Sequence, residues 1–255
     1  MDERGRAILE ELMKISRSSL RATPESKKVQ FPCEMCGGTG TIFIRNADGA
    51  VTSGSLCPAC KKARDLHFWL RKSGISPKSY AAFTLESFKT DNVMAYEMKR
   101  TAEVFLKDPK ANGLGFFGRP GTGKTHICIA TCQAMKRPHY YWQYQTEIQK
   151  LKAVMFKGGD EYRELITKAE TLPWLYIDDL FKGAIKGDEM QSQDQRIMFE
   201  ILNMRQLNHV PTIVSSEFPL NVIIAADEGI GSRLKEMLEP YVYTVHGENR
   251  RLKGA

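Results

Sequence analysis

The chain has 255 residues, and its 42% hydrophobic content is enough to fill the core of one α/β domain plus a small second unit. No apolar run approaches the roughly 18 residues that a membrane-spanning helix needs, and the N-terminal stretch is amphipathic. We therefore expect a cytoplasmic protein without a membrane partner. The formal net charge of +7 favours contact with a polyanion, but many basic proteins have no such partner, so the position of the charge matters more.

Residues 1–30 are predicted to form an amphipathic helix and a linker. Within residues 3–20, three apolar side chains recur at helical spacing between acidic and basic ones. They are Ile8, Leu12 and Ile15. The polar stretch that follows contains Pro24, as a linker commonly does. The apolar face of this helix would pack either on its own domain or on a partner.

Residues 31–79 are predicted to form a zinc-binding module followed by a basic helix. Two CxxC pairs lie 20 residues apart, a spacing typical of four-thiolate Zn²⁺ sites. Each pair would present two thiolates from one tight turn, with a β-hairpin over residues 41–52 between the turns. A pair of disulfides or a redox function is the alternative, but nothing in the sequence indicates export. The predicted zinc ligands are Cys33, Cys36, Cys57 and Cys60.

The basic helix after the second cysteine pair alternates lysines and arginines with His67, Phe68 and Trp69. Such a helix could follow a nucleic-acid backbone and stack bases on its aromatic rings. A helix that packs its aromatic side chains inward and leaves its lysines in solvent gives the same pattern. Both interpretations stay open.

Residues 80–255 are predicted to form the larger domain. Short apolar segments alternate with helical patterns, as in a parallel sheet with helices on both faces. The predicted strands cover residues 113–117, 139–144, 174–178, 212–216 and 241–246. Two short helices, over 146–156 and 161–169, form an insertion between the second and third strands, and a long helix covers 191–208.

Residues 118–125 fit the pattern G-x-x-x-x-G-K-[ST] between a predicted strand and a helix over 126–135. Glycines let such a loop curl its N–H groups toward phosphate oxygens, and the helix adds the positive end of its dipole. Lys124 should reach the β- and γ-phosphates, and Thr125 should bind Mg²⁺. The predicted ATP- or ADP-binding residues are Gly118, Arg119, Pro120, Gly121, Thr122, Gly123, Lys124, Thr125 and His126.

An acid pair, Asp178 and Asp179, follows the apolar third strand. Because parallel sheets bind ligands at the carboxyl ends of their strands, both side chains should reach the phosphate site. Asp178 would bind Mg²⁺ directly or through water, and Asp179 would polarise the attacking water. Taken alone, the pair would more often cap the next helix, but its position downstream of the phosphate loop favours the catalytic interpretation. Cys128 and Cys132, at helical spacing, are predicted core residues.

The ordered combination of these motifs resembles the AAA+ ATPases of the DnaC/DnaI type, which load replicative helicases and include phage-encoded versions. The resemblance covers most of the chain. It rests on the phosphate loop together with residues 33–40, 72–75, 80–85, 177–183, 211–216 and 230–233.

This resemblance implies a slow, partner- or DNA-stimulated ATPase in replication initiation, with ATP, Mg²⁺ and Zn²⁺ bound. Its implied partners are a hexameric replicative helicase, single-stranded DNA and further copies of itself once assembled. Arg233 matches the family's arginine finger, which would offset transition-state charge at a neighbour's γ-phosphate. The same arginine, judged without the resemblance, would more often lie on the surface.

Three features depart from the family pattern. The polar sensor after the fourth strand is usually Asn, whereas Glu217 stands there, so either Ser216 takes the polar role or hydrolysis is slow. Asp179 replaces the usual Glu. The helical lid is expected to be reduced or absent, with Arg250 and Arg251 either replacing its sensor or forming a disordered basic tail.

Two alternatives to helicase loading stay open. A transposition helper ATPase of the IstB type has a similar core. A non-hydrolysing adaptor, in which nucleotide only stabilises a DNA- or protein-binding fold, is motivated by Glu217 and the missing lid. Contact with DNA is expected at Lys182 and Lys186, in the loop after the acid pair.

Overall fold

The computed structural model describes residues 33–156, 159–247 and 249–250. The helix and linker predicted over 1–30 lie outside these residues. Contacts divide the chain into two compact units between Arg71 and Lys72, and each is described by itself. Among the described helices, none combines the length and the apolar character that crossing a bilayer requires.

The first unit contains an antiparallel hairpin of β1 (Thr41–Arg45) and β2 (Val51–Leu56). The side chain of Asn46 accepts a hydrogen bond from the Ala50 N–H at 2.8 Å and so closes the turn, as Asn does in turns of this kind. Helix α1 (Pro58–Ser73) follows the hairpin. The hairpin predicted between the cysteine pairs is therefore confirmed.

The second unit is built on a five-stranded parallel sheet, with strand order β4-β5-β8-β3-β9. Its strands are β3 (Gly113–Gly118), β4 (Tyr140–Gln143), β5 (Leu175–Asp178), β8 (Thr212–Ser216) and β9 (Val242–Val245). β3, β5 and β8 are buried along their whole length, which explains why these segments are almost continuously apolar. All five predicted strands are confirmed, and no strand end is shifted by more than one residue.

Helices cover the sheet and connect its strands. They are α2 (Pro77–Ala82), α3 (Val93–Lys107), α4 (Lys124–Met135), α5 (Tyr144–Met155), α6 (Asp160–Thr171), α7 (Ser192–Leu207), α8 (Leu220–Ala226) and α9 (Glu228–Leu238). A small hairpin of β6 (Ile185–Lys186) and β7 (Glu189–Met190) precedes α7. The insertion helices α5 and α6 and the long helix α7 lie where the sequence predicts them. Cys128 and Cys132 are buried on α4, also as predicted.

One charged side chain lies in the core of this unit. Arg205 on α7 is fully buried, and its guanidinium donates to the carbonyl oxygens of Ala169 at 2.8 Å and Leu172 at 2.9 Å. It also donates to the Thr212 hydroxyl at 3.0 Å on β8. Arg205 thus satisfies carbonyls at the end of α6 that the helix itself leaves unpaired. Burial lowers the pKa of Arg205 to about 9, and the group remains protonated at neutral pH.

Candidate nucleotide-binding site

The predicted phosphate loop connects the end of β3 to the start of α4. Gly118, Gly121 and Gly123 have φ values of 116°, 74° and 101°, in the region that favours glycine. At Gly118, a Cβ would lie 2.4 Å from the Val245 carbonyl oxygen, so no larger residue fits beside β9. The loop therefore depends on glycine for its backbone path as well as for its close packing against the sheet.

Lys124, the first residue of α4, folds back over this loop. Its Nζ donates to the carbonyl oxygens of Gly118 and Arg119, each at 2.6 Å, and the residue is only 5% exposed. Burial lowers the pKa of Lys124 to about 8, although Asp179, Glu217 and other neighbouring acids act in the opposite direction. The loop carbonyls hold the ammonium group in place until a stronger acceptor, such as a phosphate oxygen, arrives.

Asp178, at the end of β5, accepts hydrogen bonds from four hydroxyl groups. Thr125 donates to Oδ1 at 3.0 Å, which joins the acid to the phosphate loop as predicted. Tyr141 donates to Oδ2 at 2.8 Å, and Ser215 and Tyr176 donate to Oδ1. Burial raises the pKa of both tyrosines, so they remain donors at neutral pH. Asp178 is only 5% exposed, and the four donors fix its orientation.

Tyr141, Tyr176 and Ser215 were not among the site residues predicted from the sequence. Tyr141 and Tyr176 are paired residues of β4 and β5, and Ser215 lies near the end of β8. A polar residue near the carboxyl end of a buried strand is the one signal that could have indicated them.

Asp179 comes next and turns the chain, with a φ of 55°. Its backbone N–H donates to the Ser215 hydroxyl at 3.2 Å, and its carboxylate accepts from Lys182 Nζ at 2.7 Å. The same ammonium lies 4.0 Å from Glu217 Oε2. The acid predicted to act on water is thus paired with a lysine three residues later.

These groups line one cleft of about 1210 Å³ in the second unit. Its lining includes Lys124, Thr125, Asp178, Asp179, Lys182 and, from the loop, Pro120, Gly121, Gly123 and His126. Gly118, Arg119 and Thr122 shape the loop but are not among the lining residues. The cleft therefore brings together the predicted lysine, the predicted magnesium ligands and both acids.

The opposite wall of the cleft comes from residues 83–94 and from the C-terminal segment. His126 stacks on Phe83 at 4.7 Å between ring centroids, and Phe88 meets its edge at 5.1 Å. Burial lowers the pKa of His126, so its ring is neutral near pH 7. Arg250 lines the cleft, pairs with Asp91 and donates from its backbone N–H to the Gly121 carbonyl at 3.0 Å. Arg250, considered as a replacement for the family's second sensor, lines the cleft, and Arg251 lies outside the described residues.

Two predicted site residues do not reach this cleft. The buried Ser216 donates to the Leu180 carbonyl at 2.7 Å and accepts from the Phe218 N–H at 3.2 Å. Arg233 on α9 donates to Asn203 at 3.1 Å and to the Gly229 carbonyl at 2.7 Å, and its guanidinium lies over the Phe199 ring. Ser216 therefore supports a turn in this structure, and Arg233 is not among the residues that line the cleft of its own chain.

The four predicted zinc ligands converge in the first unit. Their sulfur atoms all lie within 4.8 Å of one another, with Cys33 and Cys57 at 3.7 Å and Cys36 and Cys60 at 3.5 Å. The Gly40 N–H points at Cys36 Sγ at 3.2 Å. This bond and the neighbouring thiols outweigh desolvation and lower the pKa of Cys36 to about 6, whereas burial raises the pKa of Cys60 to about 12.

Residues 114–230 match the model of the ATPase family associated with various cellular activities (AAA). The phage-like element PBSX protein XkdC of Bacillus subtilis (strain 168) is 28% identical over 97% of this chain and 96% of its own length. A crystal structure of the DnaC helicase loader matches 66% of this chain and 99% of that one, with 24% identity and a TM-score of 0.57. A crystal structure of DnaI matches 70% and 95%, with 21% identity and a TM-score of 0.52.

Because both structural likenesses are below 25% identity, they establish the fold alone. Together with the family match, they confirm the fold class expected from the motifs. The four-cysteine cluster of the first unit is compatible with the expected zinc module. Residues 114–230 thus match the AAA family model, and about two thirds of the chain has the fold of the DnaC/DnaI-type helicase loaders.

Proposed function

We propose that this protein is an ATPase that loads a hexameric replicative helicase onto single-stranded DNA during replication initiation. The observation that carries the proposal is the convergence of Lys124, Thr125, Asp178 and Asp179 on one cleft at the carboxyl edge of the sheet. A basic group, a hydroxyl and two acids at the end of a phosphate loop are the groups that ATP hydrolysis requires.

Each residue has a distinct role in this reaction. Lys124 would leave the loop carbonyls and bind the β- and γ-phosphates, because charged phosphate oxygens are stronger acceptors than carbonyls. Thr125 and Asp178 would hold Mg²⁺, since their oxygens already lie 3.0 Å apart and oxygen is the ligand that Mg²⁺ prefers. The bound ion neutralises phosphate charge. Asp179 would orient the attacking water.

Arg233 would act on the triphosphate of a neighbouring subunit in an assembled complex. Its place outside the cleft of its own chain supports a role in trans, because an arginine finger completes another subunit's site. The protein would therefore form a homo-oligomer when it assembles with the helicase. Because replication initiation takes place on chromosomal or phage DNA, this function would be carried out in the cytoplasm.

The four-cysteine cluster would bind structural Zn²⁺. In a tetrahedral site with Zn–S bonds of about 2.3 Å, sulfur atoms lie about 3.8 Å apart. The distances of 3.7 Å and 3.5 Å between the paired sulfurs fit this geometry, and all four sulfurs lie within 4.8 Å of one another. All four cysteines are free thiols, and the Gly40 N–H offers the kind of second-shell hydrogen bond that zinc thiolates commonly receive.

A test of the ATPase proposal compares Lys124→Ala with Lys107→Ala, which removes an exposed lysine on α3 outside the cleft. ATP turnover is measured with and without single-stranded DNA and the helicase. Lys124→Ala should lower ATP affinity or turnover at least ~100-fold, because the phosphates lose their buried cation. Lys107→Ala should behave as wild type. Unchanged ATP turnover in Lys124→Ala would contradict the assignment of this cleft as the ATP site.

Partner choice is tested by affinity purification of the full chain from its native host. Recovery of a hexameric helicase supports loading, whereas recovery of a transposase identifies a transposition helper of the IstB type. A wild-type protein that binds ATP but shows no turnover with DNA and helicase present would be a non-hydrolysing adaptor.

The affinity for single-stranded DNA should fall steeply as the salt concentration rises if lysines contact phosphates.

A further inference from the structure

We propose that Lys182 is a positioning residue of the nucleotide site, whose ammonium holds Asp179 and Glu217 together so that both acids can stand beside a triphosphate. This inference rests on the proposed ATPase function. It also explains how the chain tolerates a glutamate where related ATPases carry a neutral sensor.

The geometry places one cation between two carboxylates. Lys182 Nζ lies 2.7 Å from Asp179 Oδ2 and 4.0 Å from Glu217 Oε2, and Lys182 lines the cleft together with Asp179. The two acids come from different strand ends, since Asp179 follows β5 and Glu217 follows β8. Lys182 therefore ties together two neighbouring strand ends at the edge where the nucleotide would bind.

The local backbone leaves little freedom for this lysine. Leu180 and Phe181, just before it, are fully buried, and the Leu180 N–H donates to the Ser215 carbonyl at 2.8 Å. The Lys182 N–H donates to the Asp179 carbonyl at 3.0 Å. Asp179 and Phe181 both have positive φ values, of 55° and 62°, so the turn is tightly specified. This turn directs the chain back and leaves Lys182 beside the acid three residues earlier.

Charge explains why such a lysine is needed. Asp178 and Asp179 line the end of the cleft that Lys124 serves, and Glu217, which lies 4.0 Å from the Lys182 ammonium, also acts electrostatically on Lys124. A triphosphate brings further negative charge to that end, and unpaired carboxylates would repel it. The Asp178 carboxylate accepts hydrogen bonds from four hydroxyl groups, and in the proposed complex Mg²⁺ would offset its charge. Lys182 is within ion-pairing distance of both of the other two acids, at 2.7 Å from Asp179 and 4.0 Å from Glu217.

A solvent-exposed ion pair contributes little to stability, and the Lys182 side chain is 39% exposed. The expected effect of removing it is therefore on nucleotide affinity, with the thermal unfolding midpoint unchanged. If Lys182 instead contacts DNA, its removal would change the affinity for single-stranded DNA. The ratio of ATP affinity to ADP affinity would then stay as it is in wild type.

The experiment measures the affinities of fluorescent ATP and ADP analogues, with Mg²⁺, for the full-length chain. The variants are Lys182→Met, Lys182→Arg, Glu217→Gln and the double variant Lys182→Met/Glu217→Gln. Lys186→Met, an exposed lysine on β6, is the matched control. Lys182→Met should weaken ATP binding about 10-fold but ADP binding less than about 3-fold, because the γ-phosphate lies nearest the acids. Lys182→Arg should keep most of the affinity.

The double variant shows why Lys182→Met loses ATP affinity. The loss comes either from the unbalanced charge of the acids or from damage to the turn that carries Lys182. Removing the Glu217 charge should restore most of the ATP affinity lost in Lys182→Met. Equal losses for ATP and ADP, or no recovery with Glu217→Gln, would overturn the inference. If the wild type itself binds no ATP, the proposed function fails. If the wild type binds ATP and Lys182→Met binds it equally well, only the role of Lys182 fails.

Discussion

The four-cysteine cluster and the nucleotide cleft are built in opposite ways. In the first unit β2 is exposed along its whole length, and Phe43 and Ile44 on β1 are more than half exposed, whereas Cys57 and Cys60 are buried. In the second unit, the central strands β3, β5 and β8 are buried throughout and carry the phosphate loop and the acids at their ends.

This difference determines what a ligand does in each unit. A hairpin with few buried apolar side chains gains little from the hydrophobic effect, so metal–thiolate bonds in the proposed zinc site would supply most of its folding free energy. A sheet with a large apolar core folds without its ligand, so nucleotide affinity can change without loss of the fold. Three predictions test this contrast, from the largest expected effect to the smallest.

Loss of zinc should unfold the first unit while the cleft continues to bind ATP. Binding of structural Zn²⁺ contributes on the order of 10 kcal/mol in small zinc domains, which far exceeds what the exposed hairpin can replace. Cys57→Ser should therefore lose bound zinc and the hairpin's protection against proteolysis. The measurements are metal content, limited proteolysis and fluorescent ATP affinity.

Cys132→Ala is the matched control for this prediction, because Cys132 is a buried thiol on α4 with no place in the four-cysteine cluster. It should keep its zinc and lose only about 1 kcal/mol from the small cavity. A folded hairpin in zinc-free protein would show that the apolar contacts of the first unit are sufficient, and the contrast between the units would then disappear.

Arg205→Met should destabilise the second unit by about 3 kcal/mol. The substitution keeps an apolar stem but leaves the Ala169 and Leu172 carbonyls without their buried donor. Chemical denaturation measures the free energy of unfolding. Arg100→Met, which removes an exposed arginine on α3, is the control and should change this free energy by less than about 0.5 kcal/mol. If Arg205→Met lowers the free energy of unfolding as little as the control does, water must replace the guanidinium as the donor to these carbonyls.

ATP affinity should fall as pH rises through the pKa of Lys124. Burial lowers this pKa to about 8 in the free protein, so the ammonium form that phosphate needs is lost above that pH. Affinity at pH 9 should be about 10-fold weaker than at pH 7, because one pH unit above the pKa leaves about a tenth of the lysine protonated. Lys124→Arg stays charged, so whatever affinity it retains should not vary over this range. A flat profile in wild type would contradict a cationic Lys124–phosphate contact.

Features fixed by short stretches of sequence could be predicted. The phosphate loop, the acid pair and the two CxxC turns each depend on residues that are neighbours in the chain, and glycine, lysine and cysteine have few substitutes in these roles. Five strands and the insertion helices followed from apolar periodicity. The bond between Thr125 and Asp178 could be expected because both motifs lie at one edge of a parallel sheet.

Other contacts depend on strand order and on loops that return to the site. Tyr141 reaches Asp178 only because β4 lies beside β5, and Glu217 meets Lys182 only because β8 lies on the other side of β5. Because tyrosine and lysine occur in many surroundings, neither residue type predicts from sequence a contact with the acids of the cleft. Ser216, which the sequence predicts as a polar sensor, donates to the Leu180 carbonyl in this structure, and no local pattern predicts that bond.

The sequence by itself determined the chemistry of this protein, because the phosphate loop, the acids and the thiols are short local patterns whose residue types are chemically required. The tertiary structure alone decided which side chains orient and neutralise those groups. Packing five strands in a given order brings hydroxyl groups from distant segments within hydrogen-bonding distance of Asp178 and brings Glu217 near Lys182, and no local pattern encodes that proximity.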